Sequence, residues 1–133
     1  MSGIPGRYGS GGPFEEKFGY SRLVVAGPNA YVAGSTAVVA GMVNHEGDPY
    51  KQALMAFNVA LKALAEAGFS IEDVVRTRMY VVHPRDMEPV GRAHKELFDA
   101  VRPAATMVVV SKLIDAQMLV EVELDAYHPG ADR

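Results

Sequence analysis

The most regular pattern of hydrophobic and polar positions in the chain lies between Asp48 and Gly68. Hydrophobic residues recur there every three or four positions, which is the period of one face of an α-helix. Asp48 can cap the helix N-terminus, Pro49 suits its first position, and Gly68 favours its end. We therefore expect a helix whose apolar side covers a sheet. The residues on that side are Tyr50, Ala53, Leu54, Phe57, Ala60, Leu61 and Leu64.

A second helix is predicted from Asp86 to Asp99, where hydrophobic residues return to helical spacing. Pro89 is compatible with this helix because it falls in the first turn. The apolar positions are Met87, Val90, Ala93, Leu97 and Phe98.

Five short runs rich in β-branched residues are predicted to be strands. The first two runs flank Gly27-Pro28-Asn29, which has turn chemistry, so they are expected to form a hairpin. The segment from Val38 to Val43 is either a short strand or an ordered loop. The five runs are Arg22 to Ala26, Ala30 to Gly34, Val74 to Val82, Thr106 to Val110 and Met118 to Leu124.

Residues 1–13 are rich in glycine and proline and carry few apolar side chains. Such a segment cannot bury enough apolar surface to offset the entropy lost on ordering. We therefore expect a flexible N-terminal arm over 1–13, followed by a single domain over 14–133.

The elements follow the order β-β-α-β-α-β-β, which predicts an α+β domain. The strand Val74 to Val82, the second helix and the strand Thr106 to Val110 form a crossover unit, so these two strands should be parallel. Both helices are then expected on one face of a mixed sheet, with the last two strands in its middle. The opposite face is expected to be a large bare apolar surface, which usually marks an interface. Oligomerisation is therefore predicted.

The last strand alternates apolar and acidic side chains. Val120, Val122 and Leu124 fall on one face, and Glu121 and Glu123 fall on the other. Two interpretations of this acidic face remain open. It is a solvated surface, or it is covered by another subunit that leaves a carboxylate in a cleft where burial tunes its pKa.

Composition excludes several function classes. The 133 residues carry a net charge of -3, which disfavours nucleic-acid or anionic-membrane binding but leaves a local basic patch open. There is no cysteine, and the four histidines lack the spacing of a zinc site. No apolar run approaches the roughly 20 residues of a membrane span, and no signal-peptide pattern is present. A cytoplasmic protein without a metal is expected.

An ordered series of short motifs runs from about Tyr20 to Ala126. They are Tyr20-Ser21-Arg22, Tyr31-Val32-Ala33-Gly34, Gln52 and Asn58, Ala67-Gly68, Asp73-Val74-Val75-Arg76-Thr77, Arg102-Pro103-Ala104 and Leu119-Val120-Glu121-Val122-Glu123. The series resembles the Rid family, also called YjgF. This resemblance implies a chorismate-mutase-like fold and a homotrimer with ligand clefts between subunits. It also implies hydrolysis of reactive 2-imino or enamine acids to 2-oxo acids and ammonia, without a cofactor.

Only part of the family's site is matched. Glu121 stands where the family places the carboxylate that positions or activates the attacking water. Ala105 stands where the archetype has the arginine that binds the substrate carboxylate, and Met107 replaces a neighbouring cysteine. Ala33 and Gly91 replace a serine and an asparagine. The resemblance assigns catalysis to Glu121 and predicts ligand contacts for Tyr20, Gly34, Ala105, Thr106 and Met107. Ser35 follows Gly34 at a strand end and Arg102 lies three residues before position 105, so both are added as candidate ligand contacts.

The missing arginine matters because a guanidinium forms two charge-assisted hydrogen bonds with a carboxylate and alanine forms none. Either the ligand is not a 2-imino acid or another cation serves. Arg22, Arg92 and Arg102 are candidates, although each is more simply interpreted as a solvated surface residue. His94, in a position that is usually tyrosine in the family, is either a titratable cleft residue or an ordinary helix-surface histidine.

Three functions remain open at this stage. The first is a homotrimeric hydrolase or deaminase acting on imine or enamine-like metabolites other than 2-imino acids. The second is a ligand-binding or regulatory trimer without catalysis. An endoribonuclease, as some relatives are labelled, is disfavoured by the acidic balance and the absence of a basic and aromatic stripe.

Overall fold

A computed structural model of the chain describes residues 6–131. The strands are β1 Gly6–Tyr8, β2 Leu23–Ala26, β3 Asn29–Ser35, β4 Val38–Val39, β5 Met42–Val43, β6 Val74–Val81, β7 Ala104–Val109 and β8 Val120–Tyr127. Six of them form one mixed sheet in the order β1-β2-β3-β8-β6-β7, and β4 and β5 form a separate small hairpin. The α-helices are α1 Pro13–Phe18, α2 Pro49–Glu66 and α3 Met87–Phe98. This is the α+β fold expected from the order of elements.

Helices α2 and α3 pack side by side on one face of the sheet, as predicted. Asp48 caps α2, its carboxylate accepting a hydrogen bond from the Lys51 backbone N–H at 3.0 Å. Apolar side chains of both helices and of the facing side of the sheet make up a single core. Its largest fully buried hydrophobic side chains are Phe57, Phe98, Leu23, Leu64 and Leu124.

The crossover unit has the predicted geometry, since β6 and β7 are parallel neighbours. Strand β8 lies between β3 and β6, antiparallel to both, so it is central as expected. The prediction that the run beginning at Thr106 is also central was wrong. β7 is an edge strand, and most of its residues are exposed, including Val108 and Val109.

The N-terminal region differs from the prediction of a flexible arm. Gly6–Tyr8 pairs antiparallel with β2, and α1 follows shortly after it. Residues 1–5 lie outside the described part of the chain. A strand of three residues in a glycine-rich context has no alternating pattern long enough to be recognised, because its pairing depends on β2 and not on its own side chains.

The open face of the sheet is charged, not apolar. Side chains from β6 and β8 alternate, so the residues that do not face the helices are Arg76, Arg78, Tyr80, Glu121, Glu123 and Asp125. The expectation of a large bare apolar face was therefore wrong. Alternation along the last strand predicts Glu121 and Glu123 on this face, but a pattern within one strand does not reveal that Arg78 of β6 lies opposite Glu123.

Candidate functional site

Three carboxylates form a row on the open face of β8. Tyr80 donates a hydrogen bond to Glu123 at 2.9 Å, and Arg78 donates to Asp125 at 3.2 Å. Both hydrogen bonds are diagonal: Tyr80 lies opposite Glu121 and Arg78 lies opposite Glu123, but each donates to the next carboxylate on the same face of β8. Glu121, at the end of the row, accepts no hydrogen bond within the part of the chain that the structure describes. Its carboxylate is therefore available to a ligand or to water.

Gly34 lies directly against the Glu121 carboxylate. A Cβ built on Gly34 would be 2.9 Å from Cδ of Glu121, which is closer than real Cβ contacts allow. The pairing of β3 with β8 changes register between Val32 and Ser35, so Ala33 and Gly34 form an irregularity of the bulge type. A side chain at position 34 would require the Glu121 carboxylate to move, because the carboxylate occupies the space of the Cβ. The structure thus brings together two of the predicted site residues.

Arg22 lies on the other side of this irregularity. Its Nη1 donates to the Ala33 carbonyl at 3.2 Å, the Gly34 carbonyl at 3.0 Å and Ser35 Oγ at 2.7 Å. The side chain of Arg22 is only 15% exposed, and Ser35 is 2% exposed. The interpretation of Arg22 as a solvated surface arginine was wrong. Ser35 serves this local structure as a buried hydrogen-bonding partner.

The protonation of Glu121 is shifted by its surroundings. Burial raises the pKa of Glu121 above its usual value, and the negative charge of Glu123 adds to this effect. The positive charge of Arg22 acts in the opposite direction. A carboxyl group whose pKa is moved towards neutral pH is better matched to proton transfer than an ordinary surface glutamate.

A shallow depression of about 300 Å³ lies on the open face next to this site. It is lined by Ser21, Val24, Tyr31, Val32, Ala33, Arg78, Glu123 and Asp125. Neither Glu121 nor Gly34 belongs to its lining. Tyr20 precedes β2 and its side chain is exposed. The single chain therefore presents the candidate groups on an open surface and not in a closed pocket.

The candidate residues of β7 are separated from Glu121 within one chain. β6 lies between β7 and β8, and Met107 is paired with Met79 while Glu121 is paired with Tyr80. Thr106 accepts a hydrogen bond from Arg76 at 3.5 Å, whereas Met107 packs against the core. Ala105 is exposed along the edge strand. Within one chain the two groups of residues are therefore separated by the width of β6.

Arg102 and Arg92 are each held elsewhere. Arg102 binds the carboxylate and the backbone carbonyl of Asp99, at 2.7 and 2.9 Å, just after α3. Arg92 lies over the ring of Tyr50, 4.6 Å from its centroid. The structure therefore places only Arg22, of the three candidate cations, beside Gly34.

His94 is not an ordinary helix-surface histidine. Its Nε2 is hydrogen-bonded to Oγ1 of Thr77 at 2.8 Å, and its ring packs on Phe57 and Phe98. Thr77 belongs to β6 and is completely buried. His94 thus lies between α3 and the sheet, and burial lowers its pKa. Helical spacing placed it on α3 but could not reveal a polar partner in another element.

Two absences hold for residues 6–131. Among them no group of three or more His, Asp or Glu side chains is arranged to hold a metal ion. None of their helices is long and apolar enough to cross a membrane.

Comparison with known proteins gives consistent results. The family model described as Endoribonuclease L-PSP matches residues 14–128. The protein SCO2049 of Streptomyces coelicolor is 52% identical over 126 residues, covering 95% of this chain and 94% of that protein. A RutC family protein of Pyrococcus abyssi is 30% identical over 110 residues, covering 81% of this chain and 85% of that protein. The crystal structure of Rv2704 of Mycobacterium tuberculosis, described as a YjgF/YER057c/UK114 family member, is 39% identical with a TM-score of 0.85, covering 93% of this chain and 99% of that one.

Proposed function

Since the chain belongs to the Endoribonuclease L-PSP family, which is the YjgF/Rid family, we propose that it hydrolyses imine or enamine-like metabolites other than 2-imino acids. Glu121 is the catalytic carboxylate of this proposal. The observation that carries it is the position of that group, which is half-buried, lies against Gly34 and accepts no hydrogen bond from the residues described.

The chemistry asked of Glu121 is general acid–base catalysis of imine hydrolysis. The carboxylate orients a water molecule and takes its proton as the oxygen attacks the imine carbon. The protonated carboxyl gives this proton to the imine nitrogen, which forms a tetrahedral carbinolamine. The carboxylate then takes the proton of the carbinolamine hydroxyl and delivers it to the amine nitrogen, so that the C–N bond breaks and ammonia and a carbonyl compound are released. The raised pKa of Glu121 favours both steps near neutral pH.

The substrate class follows from the cations near the site. Position 105 is alanine, so no guanidinium is available there for a ligand carboxylate. The open face already carries Glu121, Glu123 and Asp125, and Arg78 is hydrogen-bonded to one of them. A carboxylate ligand would be desolvated without a partner, which costs several kcal/mol. We therefore propose an imine without a carboxylate group next to its carbon.

The active assembly of the proposal is a homotrimer with clefts between subunits. The separation of Glu121 from β7 within one chain and the exposed edge of β7 support this assembly. Each cleft would combine Tyr20, Gly34 and Glu121 of one chain with the exposed Ala105 and Thr106 of the next, whereas Met107 packs against its own core.

A matched pair of substrates tests the proposed activity. Amine oxidase acting on phenylethylamine and amino-acid oxidase acting on phenylalanine produce imines that differ in one carboxylate. We expect the protein to accelerate ammonia release from the first imine and not from the second. Glu121→Gln should abolish the acceleration, while Glu46→Gln, in an exposed loop, should preserve it. Acceleration of the second imine alone would contradict the proposed substrate class.

Two further measurements separate the alternatives. Acquisition of activity on 2-imino acids by Ala105→Arg would support a site that lacks only its cation. A thermal-shift screen of neutral amides and aldehydes, with no hydrolysis of either imine, would favour ligand binding without catalysis. Cleavage of RNA that Glu121→Gln removes would instead favour a ribonuclease.

A further inference from the structure

The irregularity in β3 creates a local hydrogen-bonding problem. Where the register with β8 shifts between Val32 and Ser35, the residues between them do not have regular ladder partners on β8. Ala33 and Gly34 are half-buried, so their carbonyl groups gain from a donor outside the ladder.

Arg22 supplies that donor. A single nitrogen, Nη1, lies within 3.2 Å of the Ala33 carbonyl, the Gly34 carbonyl and Ser35 Oγ. The Ser35 hydroxyl in turn donates to the Ala33 carbonyl at 3.0 Å. The guanidinium thus holds three consecutive residues of β3 at the point where the strand passes Glu121.

The Arg22 guanidinium is also oriented from its other side. Its Nε lies 3.9 Å from the carboxylate of Glu15, in α1. That carboxylate also accepts hydrogen bonds from the backbone N–H and the hydroxyl of Ser10. Arg22 is therefore fixed between α1 and the bulge, with its Nη1 already occupied by protein acceptors.

The position of Gly34 determines where the Glu121 carboxylate can lie. The carboxylate occupies the space above the Cα of Gly34, so a shift of the bulge would move or obstruct it. The charged and titratable groups near Glu121 are Glu123 on its own strand, Tyr80 on β6 and Arg22 before β2. Arg22 is the one positive charge among these groups.

We propose that Arg22 is the positioning residue of this site, holding the Ala33–Ser35 bulge against Glu121 and serving as its fixed countercharge, and that it does not bind the ligand. This role rests on the proposed function only in naming Glu121 as the reacting group. It also explains how the chain retains a cation beside the site although position 105 is alanine.

The test follows the Glu121 carboxyl carbon by NMR as the pH is changed, which requires no substrate. Arg22→Met removes the charge and the donor while keeping an unbranched side chain. We expect the Glu121 titration midpoint to rise by about one unit, because an opposite charge nearby is lost. We also expect faster amide exchange over residues 33–35. Arg22→Lys should keep the midpoint near that of the unmodified protein but should not restore slow exchange, since an ammonium lacks the planar geometry of the guanidinium.

Arg85→Met is the matched control, because Arg85 is an exposed arginine in the segment between β6 and α3. It should change neither measurement. If Arg22→Met does not fold, Ser35→Ala removes one acceptor and should still speed exchange over residues 33–35. Unchanged exchange in the variants that fold, or an unchanged Glu121 midpoint in Arg22→Met, would overturn the proposed role.

Activity gives an independent readout. In imine hydrolysis, Arg22→Met should move the acidic limb of the pH–rate profile to higher pH, together with the Glu121 titration midpoint. A raised KM with an unchanged limb would identify Arg22 as a ligand anchor and overturn the proposal. If no variant hydrolyses imines, the NMR measurements still decide the role of Arg22, so the two proposals fail separately.

Discussion

Chemically similar carboxylates on one strand have different environments in this molecule. Glu123 and Asp125 are bound by Tyr80 and Arg78, whereas Glu121 is left with the backbone of Gly34 beside it. The difference arises because both donors of β6 point diagonally in the same direction along β8. Burial and the hydrogen bond to Glu123 raise the pKa of Tyr80, which keeps its hydroxyl protonated as a donor. The diagonal direction of these two hydrogen bonds therefore decides which carboxylate of β8 is available for chemistry.

His94 gives a prediction for stability at acidic pH. Burial lowers its pKa below the 6.5 of an exposed histidine, so the folded protein favours the neutral ring. As the pH falls below that value, the unfolded chain takes up a proton that the folded chain resists. This contribution should therefore destabilise the protein as the pH falls towards the folded-state pKa and disappear above neutral pH. The urea midpoint, measured from about pH 7.5 to about 5.5, should fall.

His94→Gln should make this pH dependence shallower, because it removes the titrating ring while keeping a polar group near Thr77. His45→Gln, in an exposed loop, is the control and should leave the dependence unchanged. If the urea midpoint depended equally on pH in the unmodified protein and in both variants, His94 would have the same pKa in the folded and unfolded chains.

At the scale of the elements, Gln52 connects α2 to the segment that leads into β8. Its Nε2 donates to the Gln117 carbonyl at 2.9 Å, and its Oε1 accepts from the Leu119 backbone N–H at 2.9 Å. The side chain is completely buried. These two bonds satisfy backbone groups of the segment between β7 and β8, which have no strand partners. Gln52 thereby fixes the approach of the chain to Glu121.

Replacing Gln52 with leucine should lower the free energy of unfolding by about 2–3 kcal/mol, because the two backbone groups lose their partners. The amide of Leu119 should also exchange faster. Asn58→Leu, on an exposed turn of the same helix, should change stability by less than about 0.5 kcal/mol. Equal urea midpoints for the two variants would contradict this role for Gln52.

The elements differ in how much their own sequence reveals. Helices α2 and α3 and strand β6 were predicted within a few residues, because each carries a periodic pattern, a cap or a proline stop. Strand β1 and helix α1 were missed because β1 is only three residues long and α1 has no buried face. Within the site, alternation placed Glu121 on the open face. The bulge at Gly34 and the buried Arg22 depend on pairing between distant segments, which a local pattern does not contain.

At the scale of the whole molecule, the open face of the sheet and the edge strand β7 are surfaces that the single chain leaves uncovered. Charged side chains are paired across β6 and β8, while β7 ends the sheet with exposed valines. The sequence predicted an interface on this face from an assumed apolar surface, which the charged side chains do not provide. A partner that covers this face would have to satisfy its charged groups.

Mixed assemblies test whether each cleft is shared between chains. Glu121→Gln removes one half of the proposed cleft, and Ala105→Glu places a repelling charge in the other half. Each variant alone should be inactive in hydrolysis of the phenylethylamine-derived imine. In a trimer assembled from equal amounts of both, a cleft is intact when an unmodified Glu121 meets an unmodified β7 from the next chain, so about one quarter of the activity should return. Sedimentation of the mixture should give a trimer. If the site lay within one chain, every chain would carry one defect and no activity would return, so complementation distinguishes a shared cleft from a site built by a single subunit.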